Sequence, residues 1–466
     1  MAGRYKAYPD YKKHDKQTLQ ELPSGWTLKP LGLMAEQTKT AFVDGPFGSD
    51  LKSNEYQDNG VPLIQLNNIA VGEHKLKNMK FVTEEKKQQL SRHIAKPGDI
   101  VIAKMADPVA RAAAVKADYN EYIIVADCVK LTIDTSIANR SFVIYAINSK
   151  EVNASAVLVS TGTTRVRINL TELKKLQLPY PSMEEQQNIA NFLDHETAKI
   201  DTLIAKQEKL IELLKEKRQA VISHAVTKGL NPDAPMKNSG VEWLGEVPAH
   251  WVVSKFAYLK IVLTDYTANG SFADLKANVE YRDSPSFARL VRLTDLRVDL
   301  QNDNGVWIDE GSYKYLRKSA LYGGEFLLAN VGAYAGLFYQ MPFNKGPASL
   351  APNMFMAKFN TNKVEREFMA YVGQSDGVVS QLKLSATAAS AQPKLNKDDF
   401  KGVRFTYPSM EEQQQIVDYL NAELPNLDLL MSKQTKAIEL MKERKTALIS
   451  AAVTGKIDVR DWELVQ

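Results

Sequence analysis

The sequence predicts an α+β protein built as a tandem, pseudo-two-fold repeat: two similar mixed α/β domains joined by two long antiparallel coiled-coil helices. Three observations carry this. The string YPSMEEQQ occurs at 180–187 and again at 407–414, 227 residues apart. The segments that follow it, 192–229 and 419–456, correspond without a gap. Ahead of each lies a series of strand-like runs that recur at nearly the same offset. At 466 residues, 44% hydrophobic and 24% charged, the chain is too long for one core and ordinary for a globular protein of several domains.

In chain order, ELPSGWTLKPLG (21–32) corresponds to EVPAHWVVSKFA (246–257), placing Pro23 with Pro248 and Trp26 with Trp251. VPLIQLNNI (61–69) corresponds to ARLVRLTDL (288–296), each an apolar run that ends in polar residues. GDIVIAK (98–104) matches GEFLLAN (324–330), and RSFVIYAINS (140–149) matches REFMAYVGQS (366–375); the one-residue drift is what loop insertions leave behind. Gly/Asn/Asp turns such as DGPFGSD (44–50) and NDNG (302–305) punctuate short β-branched runs, as expected of an α+β domain. YTANGSFADLKANVEYRDSPS (266–286) has no counterpart in the first half. Similar scaffolds with unlike loops make different contacts, because loops carry function and frameworks carry packing.

The helical segments each show one apolar seam at three-to-four spacing: Ile200, Leu203, Ile204, Gln207, Ile211, Leu214 and Ile222, repeated as Leu427, Leu430, Met431, Gln434, Ile438, Met441 and Ile449. Proline is tolerated in a first helical turn but breaks an interior, so Pro425 marks a helix start. By the repeat, Ala198 is that position in the first copy, with Thr197 as N-cap. Residues 198–226 then form a helix of about 43 Å at 1.5 Å per residue. Two such seams can bury each other and hold the two domains apart at a fixed distance. Gln207 and Gln434 interrupt the seams at the same repeat position, where a polar residue fixes register at some cost in stability; the expectation is that they hydrogen-bond to each other, with solvent exposure at the seam's edge as the alternative.

Composition excludes several classes. There is no apolar run of about 18 residues and no signal-peptide core in MAGRYKAYPDYKKHD, so the expected compartment is the cytoplasm. The one cysteine, Cys128, sits in a strand-like VADCVKL and reads as a buried structural thiol; it rules out an internal disulfide or a multi-cysteine zinc site. A net charge of +4 and pI near 8.7 are compatible with a polyanion partner, provided the basic surface is local. No Asn/Asp-Pro-Pro-Tyr/Phe motif, Walker A run, metal-spaced His pair or Ser/His/Asp motif is present; DPVA (107–110) and NPDA (231–234) lack the aromatic residue. The chain reads as non-catalytic.

The PSMEEQQ helix start, the run from Lys199 to Gly229 with its second copy, NSGVEWLGEVPAHW (238–251), and FGSDLKSNEYQDNGVPLIQLNNI (47–69) with the later GDIV together resemble the specificity subunit of type I restriction-modification systems. The resemblance covers nearly the whole length, although FGSDLKS has no recognisable counterpart in the second half. It implies two target-recognition domains, 1–178 and 230–405, and two conserved helical regions, 179–229 and 406–466. It implies that each domain reads one half of a bipartite, asymmetric double-stranded DNA site, and that the helices set the spacer, about 13 base pairs for 43 Å of B-DNA. It further implies that two modification (methyltransferase) subunits dock on the helices and restriction subunits join through the complex. S-adenosylmethionine, ATP and Mg would serve those partners, and this chain would hold no cofactor and no metal.

Binding a duplex needs cations for phosphates, with Arg and Lys suited to guanine and Asn and Gln to adenine. Three places supply both. The first is TGTTRVRINL (161–170) with Thr163, Thr164, Arg165 and Arg167, opposite Gln392 and Lys394 in ATAASAQPKL. The second is the strand exit at Gln65, Asn67 and Asn68, matched by Arg292, Thr294 and Arg297. The third is Lys104 and Arg111, opposite Asn330 and Tyr334. EYRDSPSFARLVR (280–292) could track a phosphate backbone or form a strand edge, and Lys12, Lys13 and Lys16 could touch phosphate or lie in a solvated tail. A non-DNA alternative is a coiled-coil scaffold with two peptide-binding end domains; another is a nuclease or methyltransferase with an unrecognised motif.

Overall fold

The computed structural model describes residues 5–462 apart from 16–17, 106–107, 163–165, 299, 303, 333 and 388–392. The chain divides into two compact units, 1–207 with 436–466, and 208–435. Both cuts fall inside the long helices, because each helix half belongs to a different core. Ile189, Phe192, Leu193 and Ile200 pack with Leu448, Ala452 and Val453 in the first unit. Ile222, Ala225 and Val226 pack with Ile416, Val417 and Leu420 in the second.

Each unit carries the same pair of sheets. In the first, Phe42–Asp44, Cys128–Leu131, Ile100–Ala103 and Ala112–Ala114 form an antiparallel sheet in that order. The other sheet runs Lys80–Val82, Val61–Ile64, Tyr122–Ile124, Ile94–Ala95, with a parallel pairing at its centre. The second unit repeats the order with Lys260–Asp265, Met354–Phe359, Phe326–Ala329 and Phe338–Gln340, then Val306–Ile308, Ala288–Val291, Ala348–Leu350 and Ala320–Leu321, again with one parallel pair. The central strands are buried along their whole length and are written as apolar runs, interrupted in Ala288–Val291 by Arg289. Cys128 is among them, with no exposed surface; burial pushes its thiol up to about 12, which suits packing and not nucleophilic chemistry. Part of the segment without a counterpart, Tyr281–Arg282, adds an edge strand to the second unit's mixed sheet, so EYRDSPSFARLVR begins as a strand edge and ends in the core.

The long helices run Met183–Lys228 and Met410–Val453, 46 and 44 residues. Both are longer than expected and begin at the YPSMEEQQ string, not at Ala198 or Pro425. Ser182 Oγ accepts the Glu185 N–H at 3.2 Å while Glu185 Oε2 accepts from Ser182 N and Oγ, a capping box that starts the helix. In the second copy Glu412 N–H donates to Ser409 Oγ. Thr197 is a buried interior residue, not an N-cap, and Pro425 lies inside its helix. Packing of Leu420, Leu424 and Leu427 around the proline outweighs the one hydrogen bond it removes.

Within each unit the helices run antiparallel: Lys445 Nζ meets Asp201 Oδ1 at 2.7 Å in the first, and Arg218 Nε meets Asp428 Oδ1 at 2.9 Å in the second. The less exposed positions follow a strict four-three spacing, 200, 204, 207, 211, 214 and 427, 431, 434, 438, 441, the period of a left-handed coiled coil. Leu203 and Leu430 are 48% and 42% exposed and fall off that spacing, so they leave the seam to which the looser three-to-four count assigned them. Gln207 and Gln434 stay on it, in different units; the Gln207 Oε1 is buried without a hydrogen-bond partner. Among the described residues no helix is long and apolar enough to cross a membrane, and no cluster of His, Cys, Asp or Glu could hold a metal.

Candidate nucleic-acid interface

In each unit the three candidate segments meet at one end of the sheets, placed there by the same contacts. After Val61–Ile64 the backbone N–H of Gln65 donates to Asn68 Oδ1 at 3.0 Å; after Ala288–Val291 the N–H of Arg292 donates to Asp295 Oδ2 at 2.9 Å. Beyond the helix-side loop, Ile168 N–H donates to the Lys104 carbonyl at 3.0 Å, and Leu395 N–H to the Asn330 carbonyl at 2.8 Å. Bridges Met105 to Arg167 and Val331 to Lys394 complete the match.

This scaffold uses several of the residues expected to bind DNA. Asn68 is fully buried and its amide donates to the Lys75 and Lys77 carbonyls, so it is a loop staple and not a base reader. Its repeat equivalent, Asp295, has no exposed surface either. Arg111 is spent as well: Nε donates to the Ile69 carbonyl at 2.6 Å, Nη2 to Leu66 at 2.8 Å and Nη1 to Met105 at 2.9 Å and Pro108 at 3.3 Å, tying the strand exit to Met105 and Pro108. Lys104 is 5% exposed and paired with Asp44 Oδ2 at 3.2 Å. A buried cation serving carbonyls and a carboxylate has no free face for phosphate, so Lys104, Arg111 and Asn68 leave the candidate set. Arg292 is partly committed, its guanidinium held by both Asp295 oxygens and the Asn304 carbonyl.

Other residues remain presented. Asn67 and Thr294 are exposed at equivalent places, with Gln65 half-buried beside the first. Arg297 is exposed and lies over the Tyr334 ring, 4.6 Å from its centroid. Asn330 is half-buried with its Oδ1 unpartnered, and Lys394 is exposed. Arg167 is half-exposed and reaches Asp127 Oδ1 at 2.5 Å, while its backbone and that of Thr161 exchange a pair of hydrogen bonds. Thr163, Thr164, Arg165 and Gln392 lie outside the described residues, as does Lys16; Lys12 and Lys13 belong to the short strand Tyr11–Lys13.

A network that the sequence did not single out organises the second strand exit. Asp295 accepts from Arg292, from Arg289 Nη2 at 3.4 Å and from Asn302 Nδ2 at 2.8 Å. Burial opposes its ionisation, but these hydrogen bonds outweigh burial and hold the carboxyl below its usual range. Its signal was available: in the repeat alignment LTDL puts an acid where LNNI has an amide.

The family described as "Type I restriction modification DNA specificity domain" matches residues 48–213 and 299–440, about two thirds of the chain. The chain belongs to this family. Its relatives include the Type I restriction enzyme StySPI specificity subunit of Salmonella potsdam, 23% identical over 94% of this chain and 90% of that protein. They also include the EcoKI specificity subunit of Escherichia coli K12, 22% identical over the same shares. A solved structure described under "complex assembly and conformational transition of the type I R-M system" superposes with a TM-score of 0.67 at 14% identity, over 94% of this chain and 99% of that one, so the fold is shared. Within that fold, the two recognition domains of this family member present unlike side chains from like places: Asn67 against Thr294, Ala70 against Arg297, Pro108 against Tyr334.

Proposed function

We propose that this chain is the DNA-specificity subunit of a type I restriction-modification complex, each domain reading one half of a bipartite, asymmetric site. The observation that carries this is the pairing of one repeated scaffold with different exposed polar residues at the same sheet end, which is what two half-sites of different sequence require. The antiparallel helices set the unspecified spacer. They leave Leu203, Leu210 and Leu213 exposed on the first and Leu429, Leu430 and Leu440 on the second, apolar surface suited to two modification subunits. Adenine methylation with S-adenosylmethionine, and cleavage with ATP and Mg, are the work of those partners and of the restriction subunits, acting on DNA in the cytoplasm.

The test is co-expression with the modification subunits and mapping of methylated adenines. A two-part motif is expected, with duplex binding that weakens steeply as salt rises, because phosphate contacts release counterions. Deleting two whole turns at matching places in both helices should shorten the spacer and leave the two half-sites unchanged. Salt-insensitive binding of peptides, with no methylated motif, would instead favour a coiled-coil scaffold.

A further inference from the structure

Two arginines at the second strand exit are occupied. Arg292 is bidentate to Asp295, and Arg289 is 8% exposed, donating to the Leu300 carbonyl at 2.9 Å and Asn302 Oδ1 at 2.6 Å. Arg297 differs: its guanidinium makes no hydrogen bond or ion pair among the described residues and lies over the Tyr334 ring. A guanidinium lying on an aromatic face is held in its plane while its N–H edge stays free, since the ring takes up the face and not the donors. That edge is the fork that matches O6 and N7 of guanine in a major groove, the commonest specific arginine contact.

Hydrogen bonds hold both supports of the pair. Arg297 follows the short helix Leu293–Leu296, whose first turn is fixed by Asp295, and its own N–H donates to the Leu293 carbonyl. Tyr334 sits in a turn closed by Gly332 N–H to the Pro393 carbonyl and Ala335 N–H to the Gly332 carbonyl, each at 2.9 Å. In the first unit the same two loops are joined by Arg111, but that arginine is 9% exposed and fully committed to carbonyls, and the positions equivalent to Arg297 and Tyr334 are Ala70 and Pro108. The second unit therefore replaces a buried, saturated tie with an exposed, unsaturated one.

We infer that Arg297, positioned by Tyr334, is the residue that reads one G·C pair in the half-site of the second domain, a pair with no counterpart in the first domain's reading. This rests on the DNA-specificity reading above. Arg297 would be the base-contacting residue and Tyr334 a positioning residue.

The experiment uses the complex with its modification subunits, methylating a library randomised at each half-site in turn, with R297A, R297K, Y334L and the unaltered chain. The unaltered chain should select a two-part motif with an invariant G·C pair in one half. R297A should lose discrimination at that one position by about tenfold or more and leave the other half-site untouched. R297K keeps the charge but not the fork and should relax the same position while retaining affinity for the unaltered motif better than R297A. Y334L should relax it partially. An R297A complex that weakens on every sequence alike with its motif intact would make Arg297 a phosphate contact and overturn the inference. So would a variant with lowered thermal stability and an unchanged motif, which would make the pair a loop tie like Arg111. Absence of any motif from the unaltered chain would overturn the underlying DNA reading instead.

Discussion

The indole Nε1–H of Trp251 donates to Glu412 Oε1 at 3.0 Å, joining the lead-in of the second domain to the first turn of the second long helix. Trp26 makes the same bond to Glu185 at 3.2 Å in the first unit. Each tryptophan also meets the end of the other long helix in its own unit: a Cβ on Gly229 would lie 3.2 Å from Trp251, and one on Gly455 3.4 Å from Trp26. Both glycines have positive φ, 75° and 68°, as helix-terminating residues do, so no other residue fits easily. A tryptophan thus locks a helix beginning to a helix end in each unit; in the first, the carboxylate it binds also closes the capping box, and in the second that carboxylate also meets His250 Nε2 at 2.8 Å.

Trp251→Phe keeps most of the buried ring but leaves Glu412 without its indole donor. A hydrogen bond to a charged group contributes about 1.5–3 kcal/mol. Urea unfolding should show that loss for the half containing the substitution, with Trp26→Phe giving a similar loss in the other. Equal stability of both variants with the parent chain would remove the proposed lock.

The coil should respond to its seam far more than to its ion pairs. Ile438 is 8% exposed, and Ile438→Ala should cost about 2 kcal/mol or more in thermal or urea unfolding. Lys445→Ala breaks a half-exposed ion pair with Asp201 and should cost no more than about 1 kcal/mol. Leu430→Ala should be near neutral for the isolated chain, since the side chain is exposed, yet weaken co-purification of modification subunits if that surface docks them.

Gln207 presents a buried oxygen with no partner. Gln207→Leu should therefore raise the unfolding midpoint, by about 1 kcal/mol of stability. If the two glutamines act as register markers, as proposed from the repeat, the Gln207→Leu, Gln434→Leu double variant should be more stable but less uniquely paired, seen as broadened amide resonances or mixed crosslinks between cysteines placed along the helices.

The duplication made most of the fold legible. Strand runs such as VPLI and FLLA are apolar throughout because they lie at sheet centres, so type and position could both be read from them. The helix starts depart from the proline rule because that rule is local, whereas the Ser182–Glu185 capping box and the packing around Leu424 decide the outcome together. At the interface, residue type was legible and facing was not. Arg111 and Lys104 have the chemistry of phosphate ligands, but their nitrogens serve the Ile69, Leu66 and Met105 carbonyls and the Asp44 carboxylate, partners separated by up to about 60 residues in sequence. Asn67, Thr294, Arg297 and Lys394 stay exposed, so facing and not residue type separates them from Lys104 and Arg111.

Asp295 offers the sharpest test of how the second strand exit is held. Its carboxylate is buried and bound by two arginines and Asn302, whereas Asn68 does the same capping in the first unit with a neutral amide and carbonyl partners. Asp295→Asn keeps the shape but leaves Arg289 and Arg292 without their counter-charge, and removing one member of a buried ion pair costs about 3–5 kcal/mol. Asn68→Asp should also destabilise, because it buries a charge facing the Lys75 and Lys77 carbonyls. The pH dependence distinguishes the two. The folded-state pKa of Asp295 lies below its unfolded value, so its contribution is fully present above the ordinary aspartate range, about 4, and is lost as pH falls through the folded-state value. The stability gap between the parent chain and Asp295→Asn, followed by urea unfolding from pH 7 downward, should thus narrow below about pH 4. A gap that stayed constant across that range would mean the carboxylate's charge is not what holds the loop.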